Sequence, residues 1–285
     1  MRLLVTGGGG QLASELATQS KHETTVLTIE QLDITSKEQI AEAFSRFKPD
    51  AVINSAALTN VDFCELNPSV SLTVNAEGPK YLAEACARHN AKFLHVSTDY
   101  VFDGTKRTPY VETDATNPQS VYGEHKRLAE QYVTAACKKS FVVRTAWLYG
   151  YVGKNFVKTI LNVAKQGQPL KVVNDQVGNP TNAVDLAKHI LKLIDTENYG
   201  IYHCTNNGEC SWYDFSCEFL RLSGLKYTIE PCDTSGFPRP AKRPAHSSLD
   251  NKRLRQTIGD EMRPWQDAIA DYMKHYDKET GEINA

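Results

Sequence analysis

Thr6-Gly7-Gly8-Gly9-Gly10-Gln11-Leu12-Ala13 is the stretch that decides the fold class of this chain. It follows a short apolar run at residues 2–6, which predicts a buried strand, and it opens a helical pattern at residues 11–19. Glycines let backbone N–H groups approach a pyrophosphate, and a helix N-terminus adds partial positive charge. A run of glycines can also be a flexible loop. Its place between a strand and a helix, with the spacing Gly7-x-x-Gly10-x-x-Ala13, predicts a dinucleotide-binding turn.

Strand and helix patterns alternate from residue 2 to residue 145. Strands are predicted at residues 2–6, 25–29, 51–54, 92–97 and 141–145. Helices are predicted at residues 11–19, 68–89 and 119–138, and between a cap at Ser36 and a stop at Pro49. Ser36 and Gln39 are spaced as a capping box at the start of the second helix. Such alternation is typical of a parallel sheet that helices cover on both faces. We therefore expect an α/β fold with a doubly wound, Rossmann-like parallel sheet.

Beyond residue 150 the alternation is less regular. Helices are predicted at residues 156–166, 182–195 and 212–223, strands at residues 169–174 and 200–204, and a loop at residues 231–244. The strand at residues 200–204 can return to the main sheet. We expect a dinucleotide-binding domain at residues 1–149, joined by residues 182–205, and a smaller C-terminal α/β lobe for the substrate at residues 150–181 and 206–285.

Composition excludes several classes of function. The chain has 285 residues and a formal net charge of -2, and no long basic run indicates a nucleic-acid partner. No window holds the roughly 20 apolar residues needed to cross a bilayer, so no membrane partner is expected. The seven cysteines are odd in number and none is spaced as Cys-x-x-Cys, which argues against a disulfide framework or a zinc site. We expect a cytoplasmic protein.

Tyr122 and Lys126 stand four residues apart, so a helix would place both side chains on one face. An ammonium beside a phenol favours the phenolate and lowers the tyrosine pKa from about 10. Such a tyrosine can give a proton to a developing alkoxide, although the same spacing also fits a plain surface pair. Thr98 follows the fourth predicted strand. Because ligands bind beyond the carboxyl ends of parallel strands, Thr98 should face the same crevice as the glycine turn.

Two acidic residues follow the second predicted strand. Asp33 can accept a hydrogen bond from an adenine amine, or it can serve as an acid of the turn itself. Glu30 lies nearer the strand end, where a carboxylate suits a ribose diol and disfavours a 2′-phosphate. No arginine stands there to bind that phosphate. The sequence therefore leans slightly towards NADH over NADPH.

These motifs, together with Asn54-Ser55-Ala56-Ala57 after the third predicted strand, resemble the extended short-chain dehydrogenase/reductase family. A nearly end-to-end resemblance is to the dTDP-4-dehydrorhamnose reductases, and it rests on Gly10-Gln11-Leu12, Leu32-Asp33-Ile34-Thr35, residues 97–104, Val121-Tyr122-Gly123, residues 144–150, Asn155-Phe156, residues 175–181 and Arg243-Pro244. The resemblance implies NAD(P)H-dependent reduction of the 4-keto group of dTDP-4-dehydro-β-L-rhamnose. This is the last step of dTDP-L-rhamnose synthesis for surface polysaccharide.

The resemblance also implies roles for individual residues. The catalytic residues would be Thr98, Tyr122 and Lys126. The cofactor would be bound by Gly7, Gly10, Gln11, Leu12, Asp33, Ile34, Ala56, Ala57, Tyr122 and Lys126. The substrate would be bound by Thr98, Asp99, Tyr100, Trp147, Asn155, Gln176 and Arg243, with Arg239 and Lys242 as weaker candidates and Trp147 alternatively a core indole.

Some members of the family bind Mg²⁺ through glutamates at a dimer interface. Glu15 fits one such position, but Val184 stands where another acid is needed, which argues against a metal-bridged dimer. The expected partner is a dTDP-4-keto-6-deoxysugar, bound by a monomer or a homodimer.

Three rival functions share this fold. A 4,6-dehydratase needs an Asp-Glu pair after the threonine, whereas Asp99 is followed here by Tyr100. A 4-epimerase remains open but matches the loops less well. A regulatory subunit that binds a dinucleotide without catalysis is the alternative from a different class, and fold alone does not exclude it.

Overall fold

The computed structural model describes residues 1–259, 261–277, 280 and 282–284. Within them the strands are β1 (Arg2–Thr6), β2 (Glu23–Leu27), β3 (Ala51–Asn54), β4 (Lys92–Thr98), β5 (Ser140–Thr145), β6 (Leu148–Tyr149), β7 (Lys171–Val173), β8 (Val177–Gly178), β9 (Thr181–Asn182), β10 (Gly200–His203), β11 (Cys210–Ser211) and β12 (Glu230–Cys232). The helices are α1 (Gln11–Gln19), α2 (Lys37–Phe47), α3 (Val61–Leu66), α4 (Pro68–Leu72), α5 (Gly78–Arg88), α6 (Val121–Ala136), α7 (Phe156–Lys165), α8 (Ala183–Ile194), α9 (Trp212–Ser223), α10 (Lys252–Ile258) and α11 (Trp265–Met273). None of these described helices combines the length and the apolar character that a bilayer span requires.

The main sheet has six strands in the described part of the chain, in the order β10-β5-β4-β3-β1-β2. All its neighbouring strands run parallel. β1 lies between β2 and β3, so the order of the strands reverses there, and open α/β sheets bind ligands at such a switch point. The predicted doubly wound parallel sheet is confirmed. β10 joins its edge, with Gly200 paired to Phe141 of β5.

Successive residues of the strands enter two apolar cores on opposite faces of the sheet, as the period of a strand requires. Leu3 and Val5 of β1 pack with Leu12 and Leu16 of α1 and with the apolar face of α8. Leu4, between them, packs on the other face with residues of α2, α5 and α6. Helices therefore cover both faces, and the sheet's carboxyl edge is left for ligands.

A third core lies in the C-terminal part of the chain. It joins α7, α9 and α11 around buried aromatic residues, among them Tyr149, Phe215 and Tyr272. Three short strand pairs, β6–β9, β7–β12 and β8–β11, accompany it in the described residues. The predicted lobe ends at residue 285, which lies outside the described residues.

Four details differ from the prediction. β2 spans Glu23–Leu27 instead of residues 25–29, because it ends where its partner β1 ends, with Thr6 opposite Leu27. Ser36 caps α2 as expected, but the Gln39 side chain accepts from the Asp33 N–H and does not close a capping box. The predicted helix at residues 68–89 contains a π-helical segment, Thr73–Glu77. The predicted loop at residues 231–244 begins inside β12.

Candidate active site

A cleft of about 780 Å³ opens at the carboxyl ends of β1, β3, β4 and β5. The turns after these strands line it, joined by residues 152–154 and by Trp212. Ligand pockets commonly have volumes of about 300–1,000 Å³. A smaller cavity of about 490 Å³ near Arg2 and His89 lies at the amino ends of the strands, so the switch-point rule favours the larger cleft.

The glycine turn forms the floor of this cleft beside β3. A Cβ atom on Gly7 would lie 2.8 Å from the backbone nitrogen of Ala56, and the φ angle of +81° at Gly7 also disfavours any side chain. The Gly8 N–H donates to the Leu27 carbonyl, which ties the turn to β2. Gly10 then begins α1 as its N-cap. This close, backbone-lined approach to a helix N-terminus fits a dinucleotide pyrophosphate.

The predicted cofactor residues all line this cleft: Gly7, Gly10, Gln11, Leu12, Asp33, Ile34, Ala56, Ala57, Tyr122 and Lys126. The Asp33 carboxylate also accepts from the N–H and the hydroxyl of Thr35, so the turn-acid alternative describes its local contacts. Glu30 is not among the lining residues. It is exposed, and a hydrogen bond with the Thr28 side chain lowers its carboxyl pKa, so the expected ribose contact by Glu30 has no support in this geometry.

Thr98, Tyr122 and Lys126 meet at the other end of the cleft. Tyr122 sits in the first turn of α6, where the Ser120 hydroxyl accepts from the Gly123 N–H. Gly123 is required there, because a Cβ would lie 2.2 Å from the Tyr100 carbonyl oxygen. Because Gly123 has no side chain, the start of α6 can pack closely against the turn after β4. This packing places Tyr122 near Thr98.

The pKa of Tyr122 is raised above its ordinary value, chiefly because the phenol is buried, while the neighbouring Thr98 side chain acts in the opposite direction. The sequence-based expectation was the reverse, a phenol made acidic by Lys126. Lys126 does not contribute to the shift, since its ammonium is bonded elsewhere. Tyr122 is therefore a neutral phenol that retains its proton near neutral pH.

Lys126 is buried at the end of a row of polar side chains that crosses the sheet. Its ammonium donates to the Val96 carbonyl over 2.7 Å and to His95 Nε2 over 3.2 Å. His95 Nδ1 lies 3.1 Å from Asn54 Nδ2, and Asn54 Oδ1 accepts from the Thr6 hydroxyl. Burial lowers the pKa of Lys126 to about 8, against the attraction of Glu130. The core thus fixes the ammonium before any ligand binds.

A second buried polar cluster is centred on Glu130, about two turns after Tyr122 on the same helix. Glu130 accepts two hydrogen bonds from the Arg144 guanidinium, at 2.9 and 2.6 Å, and a third from the Ser97 hydroxyl at 2.5 Å. Arg144 Nη1 lies 3.4 Å from His203 Nε2. These contacts join α6 to β4, β5 and β10, so they hold the helix that carries Tyr122 and Lys126.

Asp99 and Tyr100 line the cleft next to Thr98. The Asp99 carboxylate accepts from the hydroxyls of Thr98 and Ser247, over 3.0 and 2.5 Å. Burial raises the pKa of Asp99 to about 6 and also raises that of Tyr100. The ring of Tyr100 lies edge-on to Tyr122, with centroids 5.6 Å apart. The Thr98 hydroxyl thus donates its hydrogen bond to Asp99.

Trp147 forms one wall of the cleft, as predicted for a substrate-facing indole. Its backbone has φ +48°, which is an outlier for a bulky residue and is often found at functional sites. Its ring stacks on Trp212, with centroids 3.6 Å apart and planes inclined by 8°. Because the two indole rings stack face to face in van der Waals contact, they form one continuous aromatic wall of the cleft.

Three predicted substrate residues lie outside the cleft lining. Asn155 caps α7 and donates to the carbonyl of Gly150 and to the Gln11 side chain. Gln176 donates to the Thr234 hydroxyl. The Arg243 guanidinium forms two hydrogen bonds with Asp62, so it does not extend into the cleft. Each side chain is occupied by a structural contact.

The weaker candidates are also engaged elsewhere. Arg239 lies 3.6 Å from Asp62 and Lys242 donates to Gln119. Glu15 accepts from Gln19, and the described residues contain no group of three His, Cys, Asp or Glu side chains placed to bind a metal.

Several lining residues were not predicted: Val61, Val70, Val74, Thr145, Lys154 and Trp212. Thr145 ends β5, and the strand-end rule that selected Thr98 could have found it. Trp212 and Lys154 carry no such signal, because they reach the cleft from a distant helix and from an irregular loop.

Comparisons with known proteins agree with this geometry. A family model described as the RmlD substrate binding domain matches residues 1–278. The dTDP-4-dehydrorhamnose reductase of Aggregatibacter actinomycetemcomitans is 41% identical over 284 residues, covering 94% of this chain and 97% of the relative. A crystal structure of a dTDP-4-dehydrorhamnose reductase from Clostridium acetobutylicum superposes with a TM-score of 0.94 and 47% identity, over 96% of this chain and 99% of the other.

A third relative carries a cofactor. The dTDP-4-dehydrorhamnose reductase of Bacillus anthracis, solved in complex with NADP, is 34% identical with a TM-score of 0.93 and covers 96% of this chain and 98% of its own. The match thus extends over nearly the whole of both chains. This chain belongs to the dTDP-4-dehydrorhamnose reductase family.

Proposed function

We propose that this chain reduces the 4-keto group of dTDP-4-dehydro-β-L-rhamnose to dTDP-L-rhamnose with NADH or NADPH. The observation that carries the proposal is the placement of Thr98, Tyr122 and Lys126 in the same cleft as the glycine turn. Two hydroxyls beside a dinucleotide site can act together on one ketone oxygen. The names of the relatives supply the identity of the sugar nucleotide.

Reduction of a ketone needs a hydride at carbon and a proton at oxygen. A bound reduced nicotinamide supplies the hydride. Tyr122, neutral because burial raises its pKa, holds the proton for the oxygen until negative charge develops there. Proton transfer leaves a phenolate at Tyr122 and an alcohol at C4 of the sugar. General acid help of this kind contributes about 10²–10⁴-fold in rate.

Thr98 has to change its partner during the reaction. Its hydroxyl donates a hydrogen bond to Asp99, and its oxygen accepts one from the Tyr100 N–H. A hydroxyl can donate only one hydrogen bond. Thr98 therefore stabilises the developing oxyanion only after its hydroxyl turns from Asp99 to the substrate, while Ser247 keeps the Asp99 carboxylate in place.

The cofactor would lie across the cleft from β2 to β5. Backbone groups at Gly7 and Gly10 would hold the pyrophosphate, Asp33 the adenosine end and Lys126 the ribose at the nicotinamide end. Lys126 and Lys154 are the cations among the described residues that line the cleft, and neither belongs to the turn after β2. This supports the slight preference for NADH, whereas the NADP complex of the Bacillus anthracis relative supports NADPH. Comparison of kcat/KM with both cofactors decides between them.

The substrate's nucleotide sugar would lie against Trp147 and Trp212. We assign residues 1–149 and 182–205 to the dinucleotide-binding domain and residues 150–181 and 206–285 to the sugar-nucleotide lobe, since the third core joins α7, α9 and α11. A monomer or a homodimer would serve this site equally. Sedimentation at micromolar concentration distinguishes them.

Oxidation of NADH and NADPH in the presence of the keto-sugar, made in situ, tests the proposed function. Wild type should turn over, and Tyr122→Phe should lower kcat by about 10²–10⁴-fold because it removes only the acidic hydroxyl. Tyr132→Phe is the matched control, since Tyr132 lies on the same helix but outside the cleft lining. Full turnover by Tyr122→Phe refutes the catalytic assignment. A wild type that binds the dinucleotide but reduces no keto-sugar points to the regulatory subunit.

A further inference from the structure

Thr145 has a buried hydroxyl without a hydrogen-bond partner in the described part of the chain. It is the last residue of β5, is 7% exposed and lines the cleft. The other buried threonines in the described residues, Thr6, Thr98, Thr181 and Thr205, all have partners. Because buried polar groups are nearly always paired, this hydroxyl points to a ligand.

The position of Thr145 narrows the choice of ligand. Thr145 is the register partner of Thr98 on the neighbouring strand, so their Cα atoms lie about 5 Å apart and both side chains leave the same face of the sheet. The unpaired hydroxyl therefore stands next to the one that would contact the ketone oxygen. A group that binds here lies within reach of the reacting atoms.

The direction of the dinucleotide identifies the group. Its adenosine end would lie near Asp33 after β2, and its pyrophosphate at the turn after β1. Because β1 separates β2 from β3, β4 and β5 in the sheet, the nicotinamide end must extend towards β4 and β5. A nicotinamide ring carries one carboxamide, which both donates and accepts hydrogen bonds. A threonine hydroxyl has the same two capacities.

We propose that the Thr145 hydroxyl binds the carboxamide of the nicotinamide ring and so fixes which face of the ring meets the ketone. This role rests on the proposed function, because it requires the chain to bind a nicotinamide dinucleotide. It makes Thr145 a cofactor-binding residue at the end of β5, beside the hydroxyls of Thr98 and Tyr122.

Thr145→Val tests the proposal, because valine keeps the shape and removes only the hydroxyl. Affinity is measured for NADH and for ADP-ribose, which lacks the nicotinamide ring; NADPH and 2′-phospho-ADP-ribose replace them if wild type binds NADPH more tightly. We expect roughly 3- to 10-fold weaker binding of the reduced cofactor, the loss of about one hydrogen bond, and unchanged binding of ADP-ribose. The melting temperature of the ligand-free chain should stay the same or rise.

Two controls accompany this variant. Thr145→Ser keeps a hydroxyl and should restore cofactor affinity. Ser248→Ala removes another buried hydroxyl that has no partner among the described residues but lies outside the cleft lining, and it should leave both affinities unchanged.

Four results overturn the proposal. Cofactor affinity can stay at the wild-type value, ADP-ribose affinity can fall by the same factor, or the melting temperature can drop, which would reveal a partner within the chain. An effect confined to the KM of the keto-sugar would assign the hydroxyl to the substrate and also overturns it. Failure of the proposed function looks different: wild type then binds cofactor without turnover, or binds none.

Discussion

The two ends of the cleft differ in whether backbone groups or side chains form the surface that would contact the ligand. At the pyrophosphate end the ligand surface is backbone, made accessible by glycines at residues 7–10 and by the start of α1. At the catalytic end the surface is made of side chains, held by two buried polar clusters that run from Thr6 to Lys126 and from Ser97 to His203. A backbone surface is specified by local sequence. A side-chain surface depends on contacts between distant parts of the chain.

The difference predicts where each end is vulnerable. At the pyrophosphate end a single added methyl group should damage binding and leave the rest of the fold intact. At the catalytic end the same groups that position Tyr122 and Lys126 also hold α6 on the sheet, so changes there should alter stability as well as activity.

The largest effect on stability is expected from Glu130→Ala. It leaves the Arg144 guanidinium buried without its partner, which typically costs about 3–5 kcal/mol of unfolding free energy. Glu124→Ala, on the same helix, removes the more exposed pair with Arg127 and should change stability by less than about 1 kcal/mol. Urea unfolding measures both. Equal losses would show that the buried cluster does not hold α6.

Asp99→Asn should stabilise the chain at neutral pH. Burial raises the folded-state pKa of Asp99 from 3.8 to about 6, so between these values the folded state binds more protons than the unfolded state. The contribution of Asp99 to stability is therefore present below pH 4 and lost as the pH rises to about 6. The variant should gain up to about 3 kcal/mol at pH 7 and nothing at pH 3.5.

A pH-independent difference between Asp99→Asn and wild type would contradict this account of the carboxylate. A neutral amide oxygen accepts the Thr98 proton less strongly than the carboxylate of Asp99 does, so the variant should release the Thr98 hydroxyl to the substrate more readily.

Gly7→Ala tests the backbone end. Its Cβ would meet the backbone of Ser55 and Ala56 within 3 Å at a positive φ, and strain of this kind costs about 1–3 kcal/mol. We expect the unfolding free energy to fall by about this amount and the affinity for the dinucleotide to weaken, because the backbone of the turn has to shift away from Ser55 and Ala56. Titration with ADP-ribose measures the affinity. Wild-type affinity would show that Gly7 is not needed for the pyrophosphate.

The smallest effect is the pH dependence of cofactor binding. Because the pKa of Lys126 is lowered to about 8, the ammonium loses its charge above that pH and affinity should fall several-fold by pH 9.5. Tyr122→Phe should keep this dependence and Lys126→Met should abolish it. The reverse pattern would assign the titration to the phenol and restore the expectation of an acidic tyrosine.

The sequence predicts the backbone end of the site better than the side-chain end. The prediction of the backbone end rests on local signals, namely the strand before Gly7, the helix after it and the small residues Ala56 and Ala57. All of them lie where they were expected. The pKa of Tyr122 could not be predicted from its spacing to Lys126, because the ammonium bonds to His95 and Val96 across the sheet.

Residues far apart in the chain explain the remaining differences. Arg243 was predicted to bind the substrate, but its guanidinium pairs with Asp62. Asp62 lies 181 positions earlier in the chain, and no sequence pattern indicates a pair so far apart. Trp212 reaches the cleft from α9 by stacking on Trp147. Thr145 could have been predicted as a cleft residue, since it ends a strand of the main sheet. Only the folded chain shows that its hydroxyl has no hydrogen-bond partner among the described residues.

The most direct test of the proposed reduction traces the hydride from the nicotinamide ring to C4 of the sugar. The keto-sugar is reduced with NADH or NADPH that carries deuterium at C4 of the nicotinamide, and the sugar nucleotide is analysed by NMR. Our account predicts one deuterium at C4 of the product sugar, one oxidised cofactor per product and almost no product with Tyr122→Phe. Deuterium at another carbon, or a changed sugar without net oxidation of the cofactor, would contradict it.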